Sequence, residues 1–234
     1  MTSGVLGKFG TGNRLLLAIA APIEFKAVLE GLAQPASILP TPWKVFPVGR
    51  WDLLLTCVSK TNAAGAVGMH LDPQKHDAVI SLGIAGAYPC AHPLPIGSAV
   101  AATASILADD GIATPTSFKP CASVGFPLAP GDRDDVPAHP GLLELVTPLV
   151  DATGPIACVS SCAGTDELAT SRSRDLGAVA ECMEGAAVGV VAARLGVPFL
   201  ELRTISNTTG TRERQIWDFP RSLQRLRDLV AAMS

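Results

Sequence analysis

Two short stretches of this 234-residue chain put charge where the surrounding sequence is apolar. In 180–187 (AECMEGAA), Glu181 and Glu184 stand just before a run of small apolar residues. In 197–207 (VPFLELRTISN), Arg203 lies inside a largely apolar run that ends at Ser206 and Asn207. A charge in a buried strand needs a partner or a task, whereas on an edge strand water solvates it. A carboxylate before a helix can simply favour the helix's positive end. Held among apolar groups, it can also take a proton or accept hydrogen bonds from hydroxyls. A third acid, Glu24, follows the apolar run Leu15–Ala21 and Pro22, in what reads as the first turn of a helix. Gly83 and Gly86 lie after another apolar run, where a tight turn is the plain reading. There is no G-x-x-x-x-G-K-[ST], H-E-x-x-H or G-x-S-x-G. The glycines at 7, 10 and 12 precede the first expected strand, so they cannot form a dinucleotide fingerprint. The six cysteines form no C-x-x-C pair, and the four histidines stand at no zinc-ligand spacing near them. We therefore expect no metal and no cofactor, and cysteines kept reduced in the cytoplasm.

The elements that must position these residues alternate in kind. Leu15–Ala21 reads as a strand, and Pro22 opens a helix to about Leu32. Residues 52–58 read as a strand, and Asn62 can cap a helix over Ala63–Leu71. Asp77–Leu82 is a strand running into a glycine-rich turn at 83–87. Residues 97–107 give another strand, and 110–140, rich in Pro and Gly, read mostly as loop. Helix 141–150, strand 155–161, helix 185–195, strand 199–205 and helix 221–233 complete the pattern. Gly196 is a natural helix stop, and Leu223, Leu226, Leu229 and Val230 share one face of the last helix. Such alternation predicts an α/β fold: a single three-layer domain with a central mixed, largely parallel, twisted sheet flanked by helices. Residues 1–13 read as a flexible leader and 14–234 as the domain. In an open parallel sheet, ligands bind outside the carboxyl ends of the strands. That rule singles out Pro22–Glu24, Gly83–Ala87, Gly164–Glu167 and Ser206–Asn207.

Composition narrows the partners. Hydrophobic residues make up 48% of the chain, enough for a core on both faces of a sheet. The net charge is −3, with no basic stripe, and aromatics are only 5%, so nucleic acid and anionic membrane are not expected as partners. Lys8 and Arg14 before the run Leu15–Ala21 loosely imitate a signal peptide, but the run is short and Pro22 and Glu24 follow it, which favours a first buried strand. No stretch is long enough to span a bilayer.

Taken together, these segments resemble the nucleoside phosphorylase/nucleosidase superfamily. Residues 181–207 resemble its helix opened by M-E-(A/G) followed, after V-P, by a strand ending R-x-I-S-(D/N). Residues 79–87 (VISLGIAGA) resemble its G-x-A-G turn. Residues 57–64 (CVSKTNAA) resemble its G-x-G-K-x-N-A-A segment, with Ser59 where glycine is usual. Residues 159–167 (VSSCAGTDE) sit where that superfamily has a purine-binding loop. The match runs from about Leu15 to the C-terminus. Within the superfamily the futalosine hydrolase family looks nearest, on ADDGIATPTSF (108–118), the M-E-G-A-A helix start, I-S-N rather than I-S-D, and RERQIWDFP (212–220).

The resemblance implies cleavage of the N-glycosidic bond of a purine nucleoside, here futalosine, with release of hypoxanthine on the futalosine route to menaquinone. It implies Glu24 as the carboxylate that activates water and Glu184 as the acceptor of ribose hydroxyls, with Met183 packing under the sugar. Arg203 would support these acids from below, and Ala85, Gly86, Gly164 and Thr165 would line the substrate site. Ile84 stands where a small polar residue is expected; an apolar side chain cannot hydrogen-bond phosphate, which favours water as the nucleophile. Position 182, often a second glutamate in nucleosidases, is Cys182, and the role of Glu181 stays open. Asn207 replaces the aspartate of adenine-specific relatives. An amide cannot deliver a proton, but it can donate to O6 or N7 of a 6-oxopurine, favouring hypoxanthine or guanine as the leaving base. Arg212 and Arg214, beside Trp217, are candidates to meet futalosine's carboxylated aromatic group, or else a solvated charged turn. The resemblance also implies a homodimer or larger homo-oligomer. The alternatives are a 6-oxopurine nucleoside phosphorylase, a methylthioadenosine/S-adenosylhomocysteine-type nucleosidase, and a non-catalytic purine-binding protein on the same fold.

Overall fold

Side-chain alternation along the first strand decides the architecture. In β1 (Arg14–Ile19), Leu15, Leu17 and Ile19 pack with Phe25, Val28, Leu226 and Leu229, while Leu16 and Ala18 pack with Ala63, Val67, Val188 and Ala192. Successive side chains of a strand point to opposite faces, so both faces of the sheet are covered by helices. The computed structural model describes residues 5–10, 12–35, 37–90 and 92–234. After β1 come α1 (Pro22–Gly31), β2 (Val45–Val48), β3 (Trp51–Leu55), α2 (Lys60–His70), β4 (His76–Ala87), β5 (Ala99–Leu107) and a small hairpin of β6 (Gly111–Ala113) and β7 (Phe118–Pro120). Then follow β8 (Asp135–Pro137), α3 (Pro140–Val146), β9 (Ala152–Cys158), α4 (Asp166–Leu176), β10 (Ala180–Cys182), α5 (Gly185–Leu195), β11 (Phe199–Thr208) and α6 (Phe219–Met233). The main sheet runs β10-β9-β5-β11-β4-β1-β3-β2, with β8 on β5 and an added pairing of β10 with β4. The centre, β11-β4-β1-β3, is parallel; β11 meets β5 antiparallel, and β2 closes the edge antiparallel. The protein is thus a three-layer α/β domain on a mixed sheet. Among the described residues no helix is long and apolar enough to cross a membrane.

Several expectations need correction. The residues expected as a turn at 83–87 continue β4 as strand, paired with both β11 and β10. The glycines there serve packing. A Cβ at Gly83 would lie 2.6 Å from Glu24 Oε1 and 2.7 Å from Arg203 Nη1. The helix expected from Ala63 begins at Lys60, and its cap is Ser59, whose Oγ accepts the Asn62 amide. The helix expected at 141–150 stops at Val146 and passes into a 3-10 turn holding Pro148, a residue that removes a helical donor. The expectations omitted β2, an edge strand interrupted by Pro47, and α4, whose sequence DELATSRSRDL buries only Ala169 and Ser173. Loop does dominate 110–140, broken by the β6–β7 hairpin.

The described part of the leader is docked rather than free. A 3-10 turn spans Val5–Lys8, and Leu6 is fully buried in the first core cluster beside α3 and α6. Arg50 ties the segment down by donating to the carbonyls of Leu6, Phe9 and Asn13. Residues 1–4 and 11 lie outside the described residues. Leu6→Ala should therefore cost about 2–5 kcal/mol in urea unfolding, the range for truncating a buried leucine. A cost below about 0.5 kcal/mol would return this segment to the status of a leader.

Candidate active site

The carboxyl ends of β1, β4 and β11 meet at one cleft. Its inner cavity, about 190 Å³, is lined by Glu24, Ala85, Gly86, Met183, Glu184 and Asn207, together with Ile84, Glu181 and Trp217. An adjoining cavity of about 290 Å³ shares Gly86, Glu181, Asn207 and Trp217 and reaches Gly164, Arg212 and Gln215. Arg203 lies beneath the cleft, fully buried. Thr165, next to Gly164, lines neither cavity and caps α4, its hydroxyl accepting the Leu168 amide.

Glu24 is placed by the start of its own helix. Pro22 pre-sets the first turn, and Glu24 Oε2 reaches back to accept the Ala21 amide at 2.8 Å. Its Oε1 accepts the Ile84 amide at 2.8 Å, joining α1 to β4. Burial and then repulsion from Glu184 push the Glu24 carboxyl up to about 7, against the pull of Arg203 and the two amides. A carboxylate poised there is matched to taking a proton from water near neutral pH.

Glu184 stands at the N-cap of α5 with its own side chain free of a capping bond. Its Oε1 accepts the Ser59 amide at 3.3 Å, and its Oε2 lies 3.6 Å from Arg203 Nη1. Burial raises its pKa above the ordinary value while Arg203 and the Ser59 amide oppose the rise. Ser59 delivers that amide from φ 105°, ψ 153°, a conformation suited to glycine, the residue usual at this position in the resemblance described above.

Asn207 reaches the cavity through a bulge. The register of β11 against β4 shifts between Ile205 and Asn207, so that Asn207 faces Gly86. Ser206 Oγ donates to Asn207 Oδ1 at 2.8 Å, and Asn207 Nδ2 donates to the Thr208 carbonyl at 2.9 Å. An amide nitrogen carries two hydrogens, so one remains for a ligand. Gly86 leaves room for it: a Cβ there would lie 3.0 Å from Asn207 Nδ2.

Glu181 is the buried acid whose part sequence reasoning left open. It accepts from Tyr88 Oη and the Ala163 amide, each at 2.8 Å, and from Arg172 at 3.3 Å. These bonds clamp the 160–164 loop over the cleft. Burial nevertheless raises its carboxyl above the ordinary value. Asp109 holds the same loop from the other side, accepting the Ser160 amide at 2.7 Å and pairing with Lys60. The segments 57–64 and 108–118 thus act as loop anchors. Sequence reasoning did not single out Cys162 and Val58 as lining residues, although the resembling segments 159–167 and 57–64 contain them. Arg214 is tied to Asp166 and Thr211, whereas Arg212 lies 4.9 Å from the Trp217 ring centroid on the wall of the outer cavity.

With this geometry in hand, comparison with known proteins assigns the chain. The pattern of the phosphorylase superfamily matches residues 53–234, and the chain belongs to that superfamily. Within it, the chain belongs to the futalosine hydrolase family, being 35% identical over 233 residues to futalosine hydrolase of Streptomyces coelicolor, 94% of each chain. Among solved structures, native futalosine hydrolase of Helicobacter pylori superposes with a TM-score of 0.73 at 16% identity, over 94% of this chain and 97% of that one. The 5'-methylthioadenosine/S-adenosylhomocysteine nucleosidase of Neisseria meningitidis, in complex with methylthio-immucillin-A, superposes with a TM-score of 0.74 at 17% identity, over 94% and 98%. These two likenesses establish the fold.

The strained φ of Ser59 yields a prediction. Ser59→Gly keeps the amide donated to Glu184, removes roughly 1–3 kcal/mol of backbone strain and loses a few tenths in capping. It should raise stability by about 1 kcal/mol in urea unfolding with kcat nearly unchanged. A destabilised variant would contradict the strained conformation.

Proposed function

We propose that this protein hydrolyses the N-glycosidic bond of futalosine, releasing hypoxanthine and dehypoxanthine futalosine. The observation that carries the reading is the convergence of Glu24, Glu184 and Asn207 on one cavity, in a chain of the futalosine hydrolase family. Glu184 accepts hydrogen bonds from the ribose hydroxyls, and Met183 packs beneath the sugar. Cleavage proceeds through a sugar with oxocarbenium character, which the paired acids stabilise electrostatically. Water attacks C1′ as the C1′–N9 bond breaks, and Glu24 takes the water's proton. The bonding pair leaves with the base, where O6 and N7 carry the charge and the free hydrogen of Asn207 Nδ2 meets it. The base then acquires its proton from solvent, because an amide cannot supply one. Ala85, Gly86 and Gly164 line the walls, and Arg203 supports the two acids electrostatically, pairing with Glu184 at 3.6 Å.

Ile84 supports water over phosphate as the nucleophile. Ile84 lines the inner cavity and its amide is already committed to Glu24, so this residue offers an incoming phosphate no donor. We include in this reading a cytoplasmic homo-oligomer that needs no cofactor.

Hypoxanthine should appear from futalosine by HPLC at a rate that added phosphate leaves unchanged; a rate requiring phosphate would make the protein a phosphorylase. Glu24→Gln should cut kcat by about 10²–10⁴-fold, the usual worth of a general base, and still bind substrate. For the wild type, kcat/KM should rise with pH as Glu24 ionises, its acidic limb having a midpoint near 7. A limb centred near the ordinary carboxylate value would remove Glu24 as the base.

A further inference from the structure

Directly behind the acids that face the cleft lies a third carboxylate with no route to solvent. Glu201, on β11, is fully buried. It accepts from Arg203 Nε at 2.8 Å, from Cys182 Sγ at 2.9 Å and from the Ser105 hydroxyl. Glu201 and Arg203 alternate onto the same face of β11, opposite Ser81 and Gly83 of β4. Arg203 uses its other nitrogens elsewhere: Nη2 donates to Ser81 Oγ at 2.9 Å, and Nη1 lies toward Glu184. The backbone makes room for Glu201 at one place. A Cβ on Gly185 would sit 2.1 Å from the Glu201 carboxylate, so only glycine fits directly after Glu184.

We infer that Glu201 is a positioning residue for the hydrolysis: paired to Nε from behind, it fixes the Arg203 guanidinium between Glu24 and Glu184 and shares its positive charge. The physical need is clear. A guanidinium carries one charge, and low local dielectric lets each carboxylate around it compete for that charge. With Glu201 engaged, Arg203 cannot wholly neutralise the two acids at the cleft, and Glu24 keeps its proton affinity. The charged and titratable groups facing this cluster are Glu24 from α1, Glu184 and Cys182 beside α5, Cys158 from β9, and Arg203 and Glu201 from β11. The inference rests on the hydrolase reading above for its assay, and its readouts separate the two.

Glu201→Gln keeps the shape and an oxygen acceptor for Nε while removing the charge. Undivided, the charge of Arg203 should stabilise ionised Glu24. The acidic limb of kcat/KM should move to lower pH by about one unit, and kcat on the plateau should fall by about three- to tenfold because the base is weaker, with KM changed less than about threefold. A ¹³C NMR titration of the Glu24 carboxyl, assigned with Glu24→Gln, reads the same downward movement without substrate. An unmoved Glu24 titration, or an unmoved limb with an unchanged kcat, overturns the inference. If wild-type protein releases no hypoxanthine, the hydrolase reading fails, while the NMR titration still decides the role of Glu201. A second pair guards against mere misfolding. Gly185→Ala should lose thermal stability through collision with Glu201; adding Glu201→Ala removes the collision but leaves the buried Arg203 short of a partner, so the double variant should lack kcat even at temperatures where circular dichroism shows it folded. Recovery of full kcat in that double variant would make Glu201 structural only and refute its positioning role.

Discussion

A single buried guanidinium organises this molecule. Arg203 has almost no contact with water, so its charge must be met inside the protein. Burial opposes that charge, and the carboxylates of Glu201, Glu184 and Glu24 more than offset the opposition. Three carboxylates around one cation leave negative charge in excess. Burial first, and repulsion between these carboxylates after it, raises the proton affinities of the two acids at the cleft. A reaction that generates a sugar cation is served by such an imbalance. The apolar β-sheet around it, with Leu200 and Leu202 on the opposite face of the same strand, keeps the arrangement dry.

Much of this was legible in the sequence. Apolar runs of strand length alternating with helical patterns gave the layers, and the place of each acid at an element boundary gave the cleft. Arg203 announced itself as a charge in an apolar run. What escaped notice was Glu201, two residues earlier in that run, although period-two alternation puts it on the same face as Arg203. A buried pair is harder to see than a buried single charge, because each member removes the other's anomaly. The polar helix α4 escaped for the opposite reason. It buries so little that no apolar stripe marks it, and its Thr165 cap and Gly177 stop were its remaining signals.

The glycines were the residues whose sequence meaning was most misleading. In GIAGA a run of glycine after a strand suggests a turn, yet here the strand continues. Gly83, Gly86 and Gly185 share one property: a Cβ at each would strike a polar side chain of the site or of its support. Each glycine marks a place where a functional group lies flat against backbone. This requirement depends on tertiary contacts between segments about sixteen to more than one hundred residues apart, which local pattern cannot encode.

The two ends of the cleft differ in electrical character, and the difference bears on the leaving group. On the proposed reading, the end with two acids of raised proton affinity meets the sugar, where positive charge develops. At the other end, which that reading gives to the base, Asn207 is neutral, held by Ser206 and Thr208, and offers a hydrogen but no proton. A base that departs best when protonated would gain little from such an amide. A 6-oxopurine can leave with its charge delocalised onto O6, an acceptor that an amide hydrogen suits. The bulge at Ser206 matters here because it turns the amide toward the cavity after a strand whose outward and inward positions are otherwise fixed by alternation. Without that extra residue, Asn207 would fall out of step with Gly86, and the cleft would keep its acids but lose the amide proposed to meet the departing base.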